Sequence, residues 1–223
     1  MLILALDTSG KRASCAVARD GVLINEKSQD TNLSHSRALL PLCEQMLREE
    51  GLTLSDIDVF AATVGPGSFT GLRIGIAAVK GFALMSSKPC AAVPTLLSAA
   101  MGVTVSGVIC AAVKARPNEY FCAFFERAGG RLVRLSEDAV LSGEQIIEEA
   151  KSFEGVVRLC GEGSKELLNI APDDLFVDTQ QQQSAANSAL AAFCLEHIPC
   201  HQINPVYMKD SQAERMKKEK EAK

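Results

Sequence analysis

Five apolar residues at positions 2–6, halted by Asp7-Thr8-Ser9-Gly10, predict a buried strand. Residues 14–19 and 22–25, joined by Asp20-Gly21, predict a hairpin. A helix follows over residues 34–50, entered through Asn32-Leu33-Ser34 and closed by Gly51. Pro41 sits inside it and removes one backbone donor. Residues 54–58 lead into a strand at 59–64, and Gly65-Pro66-Gly67 turns the chain into a second helix over 70–85. The first hundred residues therefore read β-β-β-α-β-α.

The second half is expected to continue with a short strand after Pro89, a helix at 95–101 and strands at 105–114, 119–126 and 131–135, the last two joined by Gly129-Gly130. Helices at 142–151 and 164–170 flank a strand at 156–160, and an alanine-rich helix covers 184–196. The expected division is a first lobe at 1–100 carrying the partner-binding helices and a smaller second lobe at 101–203. A charged tail at 204–223 is expected to be helical and to pack back on the first lobe. A strand-rich opening ending in an Asp-Thr-Ser-Gly turn points to an α/β fold of two ribonuclease H-like lobes, as in the actin-type ATPase (ASKHA) superfamily. No fixed sequence period displays that duplication.

Composition narrows the function. The 223 residues are 47% hydrophobic and 22% charged, enough to build a sizeable core. A formal net charge of −4 supplies no field to attract nucleic-acid phosphates, so any such contact has to be local or provided by a partner. The short apolar start, with no basic region before it, reads as neither signal peptide nor membrane span, and a cytoplasmic location is expected. The eight cysteines sit mostly in apolar stretches and read as reduced core residues.

The densest motif is Gly65-Pro66-Gly67-Ser68-Phe69-Thr70-Gly71-Leu72-Arg73-Ile74-Gly75. Glycines permit a tight turn and close backbone approach, and a helix N-terminus framed this way can cradle phosphate. The loop lacks the Gly-Lys-Ser/Thr ending of a P-loop and does not fit Gly-x-Gly-x-x-Gly, so a packing turn is the better reading. Asp7, Thr8, Ser9, Gly65 and Gly67 are the candidate nucleotide-binding residues; an ATPase-like enzyme built on Asp7 and the 65–75 loop is the alternative function. His197 and His201 are four apart beside Cys194 and Cys200, but Pro199 between them breaks the helix that a shared metal would need. His35, near the start of its helix, reads as a capping or partner-contact residue.

Both helices of the first lobe are apolar over more than the stripe of about 100° that docks a surface helix. Leu39, Leu40, Cys43 and Met46 of the first, with Ile74, Ala78 and Phe82 of the second, are the candidate partner-binding face.

The Gly65–Gly75 stretch, together with Leu33-Ser34-His35-Ser36 and Leu39-Leu40-Pro41, resembles the bacterial TsaB (YeaZ) family. Asp7-Thr8-Ser9 and Pro205-Val206-Tyr207-Met208 add to the likeness; Lys114-Ala115-Arg116 departs from that family's usual Asp-Ala-Arg. The resemblance implies a non-catalytic subunit in the formation of N6-threonylcarbamoyladenosine at position 37 of tRNAs reading codons that begin with A. It implies binding to the TsaD transferase, a paralogue, and work beside the ATPase subunit TsaE. It further implies contact with tRNA only through the complex, self-pairing when TsaD is absent, and no membrane. Where the catalytic paralogue carries a metal-binding His-x-x-x-His, this chain has Thr95 and Ala99, so neither catalytic residues nor a metal site is expected. No cofactor is required on this reading; ATP or ADP at an interface shared within the complex stays open.

Overall fold

Three antiparallel strands open the chain in the computed structural model, which describes residues 1–30 and 35–208. The expected helix entry at Asn32-Leu33-Ser34 and the charged tail beyond residue 208 lie outside these. Strand β1 (Leu2–Asp7) pairs with β2 (Arg12–Arg19), which pairs with β3 (Val22–Asp30). Asp20 and Gly21 join β2 to β3 with φ of 50° and 81°, the double left-handed geometry of a two-residue hairpin whose twist matches that of its strands. Helix α1 (His35–Glu49) runs through Pro41, whose ring lies on the exposed side.

A single 3-10 turn leads to β4 (Val59–Gly65), helix α2 (Phe69–Ser86), β5 (Cys90–Pro94) and helix α3 (Thr95–Met101). The second half comprises β6 (Gly107–Arg116), β7 (Glu119–Ala128), β8 (Arg131–Arg134), β9 (Ala139–Ser142), α4 (Gly143–Ala150), β10 (Val157–Cys160), α5 (Ser164–Ile170), β11 (Phe176–Asp178), α6 (Ala185–Ala192) and β12 (His197–Ile198).

The first sheet has the order β12-β5-β4-β1-β2-β3, with β1, β4 and β5 parallel and β2 antiparallel to its neighbours. The second runs β11-β10-β6-β7-β8, with β9 also paired to β7; β6, β10 and β11 are parallel and β7 is antiparallel to its neighbours. Each contains the five-strand ribonuclease H-like arrangement plus one short extra strand, β12 in the first and β9 in the second, so the duplication that no sequence period displays is carried by topology.

Side chains alternate across the first sheet in size as well as direction. Leu2, Leu4, Leu6, Phe60 and Val64 face α1 and α2, whereas Ile3, Ala5, Ala16, Ala18, Ala61 and Ala91 face the other way. On that second face of small residues lies α6, through Ala185, Ala186, Ala189 and Ala192. Alanine against alanine permits close approach of helix to sheet and costs no side-chain entropy. This corrects the expected boundary of the second lobe at 203. Residues of α6 complete the first lobe, and β12 pairs with β5 as an edge of the first sheet, His197 opposite Ala91. In exchange α3 packs through Leu96, Ala99 and Ala100 on the second sheet, against Ile109, Ala111 and Phe125. The two lobes thus trade their third helices and meet there.

Candidate functional site

Helix α2 is seated against the turn that ends β1. Thr8 donates its hydroxyl to the Gly71 carbonyl at 2.7 Å, and the amide of Ser68 donates to the Ser9 carbonyl at 2.7 Å. Ser68 caps the helix, accepting the Gly71 amide at 3.2 Å. A Cβ at Gly71 would overlap the Thr8 carbonyl, and one at Gly75 would come 2.5 Å from the Thr8 hydroxyl. These glycines therefore let a helix lie directly on backbone, and the Ser68 and Gly71 amides at the start of α2 are already engaged. Of the candidate nucleotide-binding residues, Asp7, Thr8, Ser9 and Gly67 come together around this junction. Gly65 does not join them, because the carbonyl of Val206 covers it.

Asp7 points the same junction towards the second lobe. Its Oδ1 accepts the amide and hydroxyl of Ser9 at 2.8 and 2.7 Å, while Oδ2 is buried without a partner, as is the Thr63 hydroxyl. Burial pushes its carboxyl above the usual range, and the Glu162 charge adds to the push against the pull of the Ser9 hydrogen bonds. Glu162, on the loop after β10, reaches across to accept the Lys11 amide at 3.0 Å. Between Asp7, Ser14, Glu26, Glu162 and Gln183 is a cavity of about 40 Å³. That holds a water or two; sites for nucleotide-sized ligands run to hundreds of cubic ångströms.

The expected partner face divides when the helices are placed. Leu39, Cys43 and Met46 are 1%, 2% and 0% exposed and belong to the core of the first lobe, so they are not available to a partner. The physical reason is the 100° step of the helix: these three share the stripe that meets the sheet, whereas Leu40 lies one step round and is exposed. Ile74, Ala78 and Phe82 are half-buried and pack against the same core. Past Thr70 in its first turn, what α2 leaves outside is Arg73, Ala77, Gly81, Leu84 and Met85, the last two 72% and 85% exposed.

A strap formed by the residues after β12 runs beside this face. Ile203 is fully buried with the α2 core, Asn204 accepts a hydrogen bond from Lys80 at 3.2 Å, and the Val206 amide donates to Val64 at 2.7 Å. Tyr207 then stacks on Phe69 with 4.2 Å between ring centroids. Arg73 lies over Phe69, 4.0 Å from its centroid, and donates from Nε to the Tyr207 hydroxyl at 2.9 Å. Sequence reasoning missed Arg73 and the strap's route; Pro205-Val206-Tyr207 was the one legible signal.

The remaining candidates fall elsewhere. His35 Nε2 lies 2.9 Å from the Gly10 carbonyl, tying α1 to the β1–β2 turn. His197 is in extended backbone with Nε2 3.1 Å from the Ala192 carbonyl. Among the described residues no three of His, Cys, Asp and Glu stand together as a metal site. Six cysteines are buried and none is disulfide-bonded, with burial pushing the Cys90 thiol up to about 11. Lys114 pairs with Glu166 and draws its carboxyl below the usual range.

Comparison with known proteins gives a consistent picture. The sequence profile of tRNA N6-adenosine threonylcarbamoyltransferase, TsaD, matches residues 28–170. The tRNA threonylcarbamoyladenosine biosynthesis protein TsaB of Escherichia coli (strain K12) is 30% identical over 224 residues, 96% of each chain. The TsaB of Bacillus subtilis (strain 168) is 27% identical, again over 96% of each. YeaZ from Pseudomonas aeruginosa superposes with a TM-score of 0.80 at 27% identity, covering 93% of this chain and 99% of that one. Component A of the (R)-2-hydroxyglutaryl-CoA dehydratase of Acidaminococcus fermentans, at 9% identity and TM-score 0.51 over 87% of this chain, shares the fold alone.

Proposed function

The chain belongs to the TsaB (YeaZ) family, and from that premise we propose that it serves the formation of threonylcarbamoyladenosine in tRNA as a non-catalytic subunit that binds a TsaD-type transferase. The observation that carries the reading is the outer face of α2. Ala77, Gly81, Leu84 and Met85 form an exposed, uncharged strip along a helix whose opposite side is fully engaged by its own sheet. Small residues in its middle admit a helix from a partner at close range, and Leu84 and Met85 supply the apolar area.

The absence of catalysis is supported by donor chemistry. Thr95 and Ala99 are both fully buried at the start of α3, where a metal-dependent transferase of this kind would require two imidazoles; these side chains do not fit a metal. The alternative ATPase reading has against it the small cavity beside Asp7 and the engagement of the Ser68 and Gly71 amides within the protein. On this proposal a TsaE-type ATPase and tRNA meet the chain through the assembly, no cofactor belongs to the chain alone, and any ATP or ADP binds at a shared interface.

Titration of the purified chain into a TsaD-type subunit, followed by modification of unmodified tRNA, tests the reading. Saturable binding and faster modification when the chain is added are expected. Sustained ATP turnover by the chain alone, abolished in Asp7→Ala, would refute the non-catalytic assignment.

A further inference from the structure

We propose that Arg73 is the polar anchor of the α2 face and that it receives a carboxylate side chain of the protein partner. This rests on the reading of α2 as the partner-binding helix and adds the chemistry the partner must present.

The guanidinium is held before any partner arrives. Its carbon lies 4.0 Å from the Phe69 centroid, Phe69 stacks on Tyr207 at 4.2 Å, and Nε donates to the Tyr207 hydroxyl at 2.9 Å. The backbone beneath Tyr207 is fixed in turn by the Val206 amide on the Val64 carbonyl. One side of the planar fork is thereby occupied, whereas Nη1 and Nη2 have no hydrogen bond or ion pair among the described residues. An arginine on an exposed helix ordinarily loses rotamer freedom when it is captured; here most of that ordering is already built in. The two free amino groups lie in one plane at the spacing of two carboxylate oxygens, the arrangement that favours a bidentate pair.

The surroundings select the kind of ligand. Continuing from Arg73, the exposed positions of α2 are Ala77, Gly81, Leu84 and Met85, and beside it lies Val206, 53% exposed. The other charged residue of the helix, Lys80, is engaged by Asn204. A partner covering this strip would desolvate Arg73, so it has to bring an acid to the same point or leave a buried cation unpaired. An RNA phosphate also fits a guanidinium fork. However, an apolar strip with one free arginine, on a chain of net charge −4, is not the multiply basic surface that phosphate backbones require.

The test compares Arg73→Gln, Arg73→Lys and Tyr207→Phe by calorimetric titration into a TsaD-type subunit, with melting temperatures measured alongside. Arg73→Gln is expected to weaken binding by about thirtyfold, the level of an interface hot spot. Arg73→Lys keeps the charge but not the fork and should lose about tenfold or more. Tyr207→Phe releases Nε and should lose about threefold; the double variant Arg73→Gln/Tyr207→Phe should match Arg73→Gln alone, because Tyr207 acts through the guanidinium. Should Arg73→Gln lower the melting temperature, the Lys variant decides. Wild-type affinity in both Arg73 variants, with binding still abolished by Gly81→Glu, would overturn the anchor while leaving the partner reading intact. Absence of binding by the wild-type chain would remove both. Normal transferase binding with impaired tRNA binding by the assembled complex would assign Arg73 to phosphate instead and also overturn the proposal.

Discussion

Gly81→Glu separates folding from assembly because the two should move in opposite directions. Gly81 lies on the exposed side of α2 in ordinary helical backbone, and a Cβ built there meets nothing within 4 Å. Its neighbours one turn away, Ala77 and Met85, are uncharged, so the new carboxylate finds no intrahelical cation. Replacing glycine inside an exposed helix stabilises by roughly 0.5–1 kcal/mol through the backbone entropy of the unfolded chain. For a chain of this size that corresponds to a melting temperature about 1–4 °C higher. Docked against an apolar partner surface, the same carboxylate is desolvated without a counter-ion, at an effective cost of several kcal/mol. Since about 1.4 kcal/mol is tenfold in affinity, a penalty of ~4 kcal/mol weakens assembly about a thousandfold. Ala78→Glu is the control: that side chain is half-buried against the first-lobe core, so the variant should melt several degrees lower. Calorimetric titration into a TsaD-type subunit and thermal denaturation read both quantities. A Gly81→Glu chain that melts at or above the wild-type temperature and binds with wild-type affinity would refute the assignment of this face to a partner.

Two further outcomes follow from the junction of α2 with β1. Gly75→Ala places a methyl 2.5 Å from the Thr8 hydroxyl and should destabilise the chain by ~1–3 kcal/mol in urea unfolding, although Gly75 touches no proposed partner surface. Asp7 is the second: its carboxyl binds a proton more tightly folded than unfolded, so the wild-type chain should lose stability as pH rises from the unfolded value of 3.8 through the raised folded value. Asp7→Asn removes that dependence, and urea midpoints from pH 4 to 8 should show the wild-type disadvantage growing with pH and then levelling; a constant difference would mean that the carboxyl titrates normally.

Much of the fold was legible because local signals agreed. The five-residue apolar run at the start, the Asp20-Gly21 turn and the Gly65-Pro66-Gly67 break each act over a few residues, and the strands and helices fall within a few residues of their expected ends. Three short strands were missed. Ala139–Ser142, Phe176–Asp178 and His197–Ile198 hold four, three and two residues, too few for a period to develop, and each exists because a longer strand offers it an edge. The site was less legible than the fold. In α1 the i, i+4, i+7 spacing of Leu39, Cys43 and Met46, with Arg37, Glu44, Gln45 and Arg48 around them, already marks the stripe that meets the core, and assigning those three to a partner overrode that period; α2, apolar on most sides, gives no such phase.

By itself, then, the order of residues determined the element types, the α/β character, the glycine-framed entry of α2 and the family, because each depends on backbone preferences or on motifs contiguous in the chain. Tertiary structure alone decided which side of α2 is free, that the doubled sheet topology forms, that the alanine-rich α6 crosses back to the first sheet, and that Tyr207 comes to hold Arg73 from 134 positions away. Those outcomes depend on which surfaces of similar hydrophobicity fit together most closely, and small residues such as the alanines of α6 are compatible with either lobe until the facing sheet, lined by Ala5, Ala16, Ala18 and Ala61, supplies the matching shape.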